Sequence, residues 1–306
     1  MEENQEKNLD RHSGIVALAG RPNVGKSTLL NRLLGQKISI VSRKAQTTRQ
    51  QVLGILTAES WQIVFIDTPG VIEPHDRLQE YMLQASFKAV SGADLVLMMI
   101  EASVGDILED QPLLERLRGV DVPRLLLINK IDLMDKPRLL PLIAQFDKTG
   151  LFDSILPVSA LTGDGLPELT REIVARLPKS PFLYSEDQIA TQPMRFFVAE
   201  LVRETIYDML HDELPYASTV VVDEYKERPK NKIFIRTLIF VERESQKKII
   251  IGRKGDQLKR IGQAARKKIE EFTGNGVYLE LWVKVRDKWR KDSLFLKQAG
   301  FDPQAI

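Results

Sequence analysis

The sequence predicts a doubly wound α/β domain followed by a smaller α+β domain, and three observations lead there. Over the first 180 residues, short apolar runs alternate with amphipathic stretches. A proline-punctuated segment then breaks the pattern, with Pro178, Pro181 and Pro193 around Ser180, Ser185 and Asp187. Beyond Met194 the spacing changes to helices mixed with alternating strands. A chain of 306 residues is also long enough for about two cores.

The elements follow in order. Residues 1–12 are acidic and polar with no apolar h-region, so they are expected to form a flexible leader and not a secretory signal. The runs 15–19, 63–66, 95–100, 125–128 and 155–158 are nearly continuous in apolar residues, as strands buried on both faces of a parallel sheet are. Helices are expected between them at 27–34, 77–90 and 112–117, and this alternation gives the doubly wound domain at 13–180. Residues 181–193 read as a linker. The second domain, 194–291, is expected to hold a helix at 196–210, strands near 218–223 and 233–241, helices at 249–251 and 256–272, and a strand at 277–285, before a C-terminal tail at 292–306. No internal repeat is present, which argues against a solenoid.

Composition narrows the chemistry. With 43% hydrophobic and 28% charged residues the chain falls in the soluble globular range. The absence of cysteine excludes disulfides, zinc–thiolate sites, iron–sulfur clusters and thiol catalysis, and three scattered histidines are poor material for a metal site. The longest apolar run, 95–100, is far short of the roughly 20 residues a membrane-spanning helix needs. A cytoplasmic protein is expected, with any membrane contact peripheral. The net charge of +2 gives no global sign of an anionic partner, but it averages two unlike parts. Residues 1–180 carry 21 basic and 23 acidic side chains, residues 181–306 carry 23 and 19, and within 243–291 the count is 15 against 6. A solvated helical face explains the triplet Arg266, Lys267 and Lys268; an excess sustained to Lys291 is better explained by a phosphate-bearing partner.

The strongest motif is Gly20, Arg21, Pro22, Asn23, Val24, Gly25, Lys26, Ser27, a complete GxxxxGK[ST] between a strand and a helix, with Thr28 following. Its glycines let backbone N–H groups approach phosphate oxygens at the helix N-terminus, Lys26 reaches the β- and γ-phosphates, and the Ser27 hydroxyl holds Mg²⁺. A strand-to-helix turn needing only tight packing would leave Lys26 and Ser27 unexplained. Next, Asp67, Thr68, Pro69, Gly70 and Val71 follow an apolar run. There Asp67 can hold Mg²⁺ through water and the Gly70 amide can sense a γ-phosphate, although the same residues make a good turn. Asn129, Lys130, Ile131 and Asp132 follow the run 125–128. Asp132 can accept bonds from the N1–H and N2 amine of guanine, a pair of donors adenine lacks, while Asn129 reads the other edge and the Lys130 stem covers the ring. Ser159 and Ala160, after 155–158, would complete the pocket with a backbone N–H toward guanine O6.

These pieces, in this order, resemble the translation-factor-related GTPases. Residues 44–49, from Lys44 through Gln46, Thr47 and Thr48 to Arg49, supply the segment expected between the P-loop and Asp67. The resemblance implies that one threonine there reaches Mg²⁺ when a γ-phosphate is bound, and Thr48 is favoured over Thr47. Related GTPases carry a water-orienting glutamine after the Asp-x-x-Gly turn; here that position is Val71. No catalytic base is therefore assigned, and slow intrinsic hydrolysis is expected. His75 and Asp76, just beyond, read as a polar loop more readily than as an acid/base pair.

In the second domain, Gly252, Arg253, Lys254 and Gly255 form a GxxG loop between Ile251 and a helix carrying Leu258 and Ile261. This arrangement resembles a type 2 KH domain, whose glycine loop clamps a single-stranded nucleic-acid backbone. The cationic residues Arg253, Lys254, Lys259 and Arg260 suit phosphate. Trp282 and Trp289 stand among cations and read either as base-stacking platforms or as packing under a neighbouring helix. A P-loop GTPase domain followed by one type 2 KH domain is similar to the Era family of bacterial GTPases over nearly the whole chain, and residues 45–49 and 280–285 strengthen the match. The resemblance implies GTP/GDP and Mg²⁺ as ligands, a role in assembly of the 30S ribosomal subunit, binding of 16S rRNA near its 3′ end, and peripheral membrane association. The residues alone support a guanine-nucleotide switch joined to a single-stranded RNA clamp. Two rivals are a membrane-associated signalling GTPase acting through protein partners and a passive RNA-binding module; the intact Lys26, Ser27, Asp67 and Asp132 oppose the second.

Overall fold

A computed structural model of the chain describes residues 11–42, 44, 46–103, 110–227 and 232–301. Most of the expected leader, and Ala45 of the 44–49 segment, lie outside these residues. The first part runs β1 (His12–Gly20), α1 (Lys26–Leu34), β2 (Val52–Thr57), β3 (Trp61–Asp67), α2 (Arg77–Ser91), β4 (Leu95–Glu101), α3 (Gln111–Arg118), β5 (Arg124–Asn129), α4 (Lys136–Asp147), β6 (Ser154–Pro157) and α5 (Leu166–Val174). The strands form one sheet in the order β2-β3-β1-β4-β5-β6, parallel except for the antiparallel edge strand β2.

The apolar runs work as the fold class requires, because successive residues serve opposite faces of the sheet. Val16, Leu18, Leu97 and Leu127 pack with Leu29 and Leu30 of α1 and Leu169 and Ile173 of α5. Their neighbours Ala17, Ala19, Val96, Met98 and Ile128 pack on the other side with α2, α3 and α4. Strand β2 is an addition to the five runs named above. Gly54 at its centre, where a Cβ would come within 2.5 Å of Leu34 Cδ1, interrupts the apolar pattern but lets α1 pack closely. Residues 181–193 run beside this edge: Ile55 N–H donates to Ile189 O at 2.7 Å, and Leu183 and Tyr184 donate to Gln62 Oε1 at 2.8 and 2.9 Å.

The second part runs α6 (Met194–Met209), α7 (Leu214–Ala217), β7 (Thr219–Lys226), β8 (Ile233–Val241), α8 (Glu244–Ile251), α9 (Asp256–Thr273), β9 (Val277–Val285) and α10 (Ser293–Gln298). Its sheet has the order β7-β8-β9, with β7 antiparallel and β9 parallel to β8. Strand β8 alternates cleanly, burying Ile233, Ile235, Thr237, Ile239 and Val241. These face Val198, Val202 and Ile206 of α6, Ile250 of α8, and Ile261, Ala265 and Ile269 of α9. After β9 the chain returns to the first part: Trp289, Phe295, Leu296 and Phe301 bury themselves with Leu78 and Met82 of α2. Among the described residues no helix is long and apolar enough to cross a membrane.

Candidate nucleotide site and nucleic-acid interface

The P-loop leaves the end of β1 at the carboxyl edge of the sheet, beside the point where strand order reverses. Two of its residues need their glycines. Gly20 has φ +151° and Gly25 φ +105°, and a Cβ on Gly25 would lie 2.3 Å from Asn129 Nδ2. Lys26 opens α1 with its ammonium turned back over the loop, donating to Gly20 O at 3.0 Å and Arg21 O at 2.9 Å. Burial lowers its pKa to about 8, the nearby Asp67 carboxylate acting in the opposite direction.

Asp67 ends β3 and is fully buried. Its Oδ2 accepts from Ser27 Oγ at 2.7 Å, Ser39 Oγ at 2.8 Å and Thr48 Oγ1 at 3.3 Å. The Ser27 and Thr48 hydroxyls are themselves 2.8 Å apart, whereas Thr47 Oγ1 is turned to Lys44 O. Burial raises the Asp67 pKa, while Lys26 and the three hydroxyls work to lower it. Its Oδ1 is buried, with no hydrogen-bond partner among the described residues. A carboxyl group with one oxygen unbonded, beside two converging hydroxyls, is a donor set of hard oxygens that fits a magnesium ion, whose charge would favour the ionised form. Nothing in the sequence pointed to Ser39, which lies in a stretch with no motif.

The rest of the Asp67 turn packs onto the P-loop. Thr68 Oγ1 donates to Leu18 O at 2.6 Å, Pro69 O accepts from Ser86 Oγ at 2.7 Å, and a Cβ on Gly70 would sit 2.5 Å from Pro22 N. Val71 N–H donates to Gly20 O at 3.2 Å, and its side chain packs against the core. This apolar placement gives it no group for orienting water.

At the base end, Asp132 lies in a turn of 3₁₀ helix, Ile131–Leu133, where its Oδ1 accepts from Ser159 Oγ at 2.6 Å. Asn129 ties three loops together: Nδ2 donates to Val24 O at 2.7 Å and Oδ1 accepts from the Ala160 N–H at 2.9 Å. Of the two N–H groups in the 159–160 pair, one of which is expected toward guanine O6, that of Ala160 is turned to Asn129 and that of Ser159 donates to Asp164 O at 3.0 Å. Lys130, at φ +65°, pairs with Glu101 at 2.5 Å. Burial opposes the charge on Glu101, but bonds from Lys130 and Ser103 outweigh it and hold the carboxyl below its usual range. A carboxylate ending the apolar run of β4 was the available sign of Glu101. A cavity of about 910 Å³ joins Lys26, Ser27, Thr28, Thr48, Gly70 and Lys130, and is closed on one side by Tyr207, Asp208 and His211 of the second domain. No motif marked those three.

In the second domain, Gly252, Lys254 and Gly255 have φ of +73°, +51° and +84°, forming a tight exposed turn into α9. A Cβ on Gly252 would lie 2.6 Å from Gln257 Cβ. Lys259 lines a groove between α9 and β9 with Lys232 and Arg266, over a floor of Leu258, Gly262 and Leu281. Arg260 pairs with Asp256 at 2.9 Å, and Arg253 faces a second groove shared with His211 and Leu214. The tryptophans separate: Trp282 is 56% exposed on the open face of the sheet, whereas Trp289 is wholly buried and donates from Nε1 to Ala217 O at 2.9 Å. Trp289 is therefore packing. Asp76 caps α2, accepting from Gln79 N–H at 3.0 Å, and lies 3.4 Å from Arg290 across the domain junction.

Comparison with known proteins agrees with this geometry. The profile of a family described as 50S ribosome-binding GTPases matches residues 15–130, and that of the KH domain matches 213–290. GTPase Era of Lactobacillus delbrueckii subsp. bulgaricus is 44% identical over 294 residues, 96% of this chain and 97% of that protein. GTPase Era of Geobacter sp. is 46% identical over 290 residues, 95% of this chain and 98% of that protein. Among solved structures, an Aquifex aeolicus Era variant bound to GDP·AlF₄⁻ superposes with a TM-score of 0.91 at 40% identity, covering 95% of this chain and 99% of that one. Era in complex with MgGDPNP and nucleotides 1506–1542 of 16S ribosomal RNA gives a TM-score of 0.92 at the same identity and coverage. The chain belongs to the Era family of GTPases.

Proposed function

We propose that this GTPase is a nucleotide-controlled clamp for the 3′ region of 16S rRNA that acts in assembly of the 30S subunit. The observation that supports the reading is the meeting of Ser27, Thr48 and Asp67 beside a cavity that Ser27 and Thr48 line together with Tyr207, Asp208 and His211 of the domain that holds the GxxG loop. Residues Gly20 to Thr28 wrap the phosphates through backbone N–H groups, and Lys26 lies where it can neutralise phosphate charge. Ser27, Thr48 and, through water, Asp67 hold Mg²⁺, which when bound offsets charge on the β- and γ-phosphate oxygens. Asp67, Thr68, Pro69, Gly70 and Val71 form the second phosphate-sensing turn. Asn129, Lys130, Ile131, Asp132, Ser159 and Ala160 form the base pocket, with Asp132 the specificity residue. Gly252 and Gly255 let the RNA backbone approach closely, while Arg253, Lys254, Lys259 and Arg260 meet its phosphates. The solved relative bound to a 16S rRNA segment supports this choice of RNA.

The test is binding of a single-stranded RNA bearing the 3′ end of 16S rRNA to the full chain, with GDP and with GDPNP, in the presence of Mg²⁺. The expected result is an affinity that differs between the two nucleotides, together with loss of RNA binding and retained GTP hydrolysis in the double variant Arg253→Asp, Lys254→Asp. An affinity indifferent to nucleotide, with RNA leaving turnover unchanged, defeats the switch. Undiminished RNA affinity in the double variant defeats the clamp.

A further inference from the structure

The segment that carries Thr48 is held from the second domain on both sides. On the C-terminal side Arg49, only 4% exposed, sends its guanidinium into the α7 turn. It donates to Ser218 O at 2.7 Å, Tyr216 O at 3.0 Å, Pro215 O at 3.1 Å and the Tyr207 hydroxyl at 3.0 Å, and lies 6.0 Å from the Trp289 ring centroid. On the N-terminal side Arg203 of α6, also buried, donates to Thr47 O while Glu200 fixes its Nε at 2.8 Å. The Tyr207 hydroxyl donates to Gln46 O at 3.2 Å, and the Lys44 ammonium donates to Tyr207 O and Leu210 O at the end of α6. Residues 46–49 themselves lie in no helix or strand.

A short irregular segment is costly to order, and its own backbone supplies little to hold it. The four acceptors around Arg49 are neutral oxygens, so its direct bonds include no carboxylate; burial and the like charge of Arg203 work against the cation, and Tyr207 and the Glu200 carboxylate work for it. Losing any of these bonds leaves its charge worse compensated, which makes the contact close to all-or-none. Thr48 stands between the Thr47 carbonyl, held by Arg203, and the anchored Arg49 side chain, and its hydroxyl is 2.8 Å from Ser27 Oγ and 3.3 Å from Asp67 Oδ2.

We infer that Arg49 and Arg203 are positioning residues for Thr48, and that the RNA-binding domain thereby sets, within the same chain, how strongly the site prefers a nucleoside triphosphate to a diphosphate. The inference rests on the reading of Thr48 as a magnesium-directed hydroxyl. A triphosphate draws on that hydroxyl through the metal, whereas a diphosphate does not depend on it. Loosening either anchor should therefore weaken triphosphate binding selectively. It also gives a physical route from RNA to nucleotide, because His211 of the connection between α6 and α7 and Leu214, which opens α7, line the groove with Gly252 and Arg253.

The test uses the full-length chain and compares affinities for GDPNP and GDP, with and without Mg²⁺, in wild type, Thr48→Ala, Arg49→Lys and the double variant. Arg49→Lys keeps the charge but loses the planar fork that reaches four acceptors. It should lower GDPNP affinity at least tenfold in Mg²⁺ while GDP affinity stays within about twofold, and adding it to Thr48→Ala should cause little further loss. If Arg49→Lys is not folded by circular dichroism, Arg203→Met is read by the same criterion. Equal loss of both nucleotides, an unchanged GDPNP-to-GDP ratio, or losses that simply add overturn the positioning role. A Thr48→Ala variant with unchanged discrimination overturns the underlying reading of Thr48 instead, so the two failures are distinguishable.

Discussion

Lys26 shows how a single side chain is prepared for a polyanion. Its ammonium is buried on two carbonyls, and its pKa is lowered from 10.5 to about 8 because burial outweighs the attraction of Asp67. Phosphate oxygens in the loop would favour the charged form and raise the value again. The sign follows. Well below pH 8 the free chain already carries the proton, so nucleotide binding is independent of pH on this account. As pH rises through 8 the free Lys26 loses it, binding must take it up, and affinity should fall by up to about tenfold per unit. Calorimetry near pH 8 in buffers of different ionisation enthalpy should show proton uptake on binding GDP; none, with a flat affinity profile from pH 7 to 9, would refute the assignment. The same shift acts oppositely on the free chain, whose stability gains from Lys26 between about pH 8 and 10.5, where the unfolded state holds more protons. Lys26 was legible in the sequence because the spacing of the P-loop is a local property. Ser39, Glu101 and Arg203 were not, because their roles arise only when distant segments meet Asp67, Lys130 and Thr47.

At the scale of elements, the sequence was informative where pattern and packing coincide. The runs forming β1, β3, β4 and β5 are buried on both faces and read directly as strands. Strand β2 was obscured by Gly54, and α4 by its internal Pro141. Strand β9 alternated legibly, but alternation does not say whether an aromatic just past its end is a platform or an anchor. The structure makes Trp289 an anchor: with Phe295, Leu296 and Phe301 it draws α10 onto Leu78 and Met82 of α2. Residues 292–301 thus form a strut between domains, the rest of the expected 292–306 tail lying outside the described residues. Trp289→Ala would leave a large cavity there and an unbonded Ala217 carbonyl. The expected cost is about 3–5 kcal/mol in unfolding free energy, as for other fully buried aromatics. Denaturant titration should register it, and a loss under about 1 kcal/mol would show that the strut carries little of the fold.

For the whole molecule, the near-zero net charge conceals a division of labour that the domain junction then reconnects. Glu204 of α6 is central to that connection. Its carboxylate, 3% exposed, accepts from Lys37 of the first domain at 2.7 Å, from Lys268 of α9 at 2.9 Å and from the Val41 N–H at 3.2 Å. Burial disfavours its charge, but the bonds from Lys37 and Lys268 prevail and hold its pKa below the usual carboxylate range. Its contribution to stability is therefore present above the ordinary glutamate pKa and lost as acid protonates it. Because α9 begins at the GxxG loop and Val41 lies just before the Thr48 segment, this one group bonds to the helix that follows one proposed site and to the stretch that precedes the other. Thermodynamic linkage makes the result quantitative: whatever factor GDPNP applies to RNA affinity, RNA must apply to GDPNP affinity. Glu204→Gln, which keeps the shape and removes the charge, should shrink both factors together and by the same amount. A wild-type effect of about tenfold in each direction corresponds to roughly 1.4 kcal/mol of coupling. Paired titrations, RNA against nucleotide-saturated protein and nucleotide against RNA-saturated protein, would test this. If the variant keeps the full coupling, Glu204 ties the domains together without carrying the signal between them.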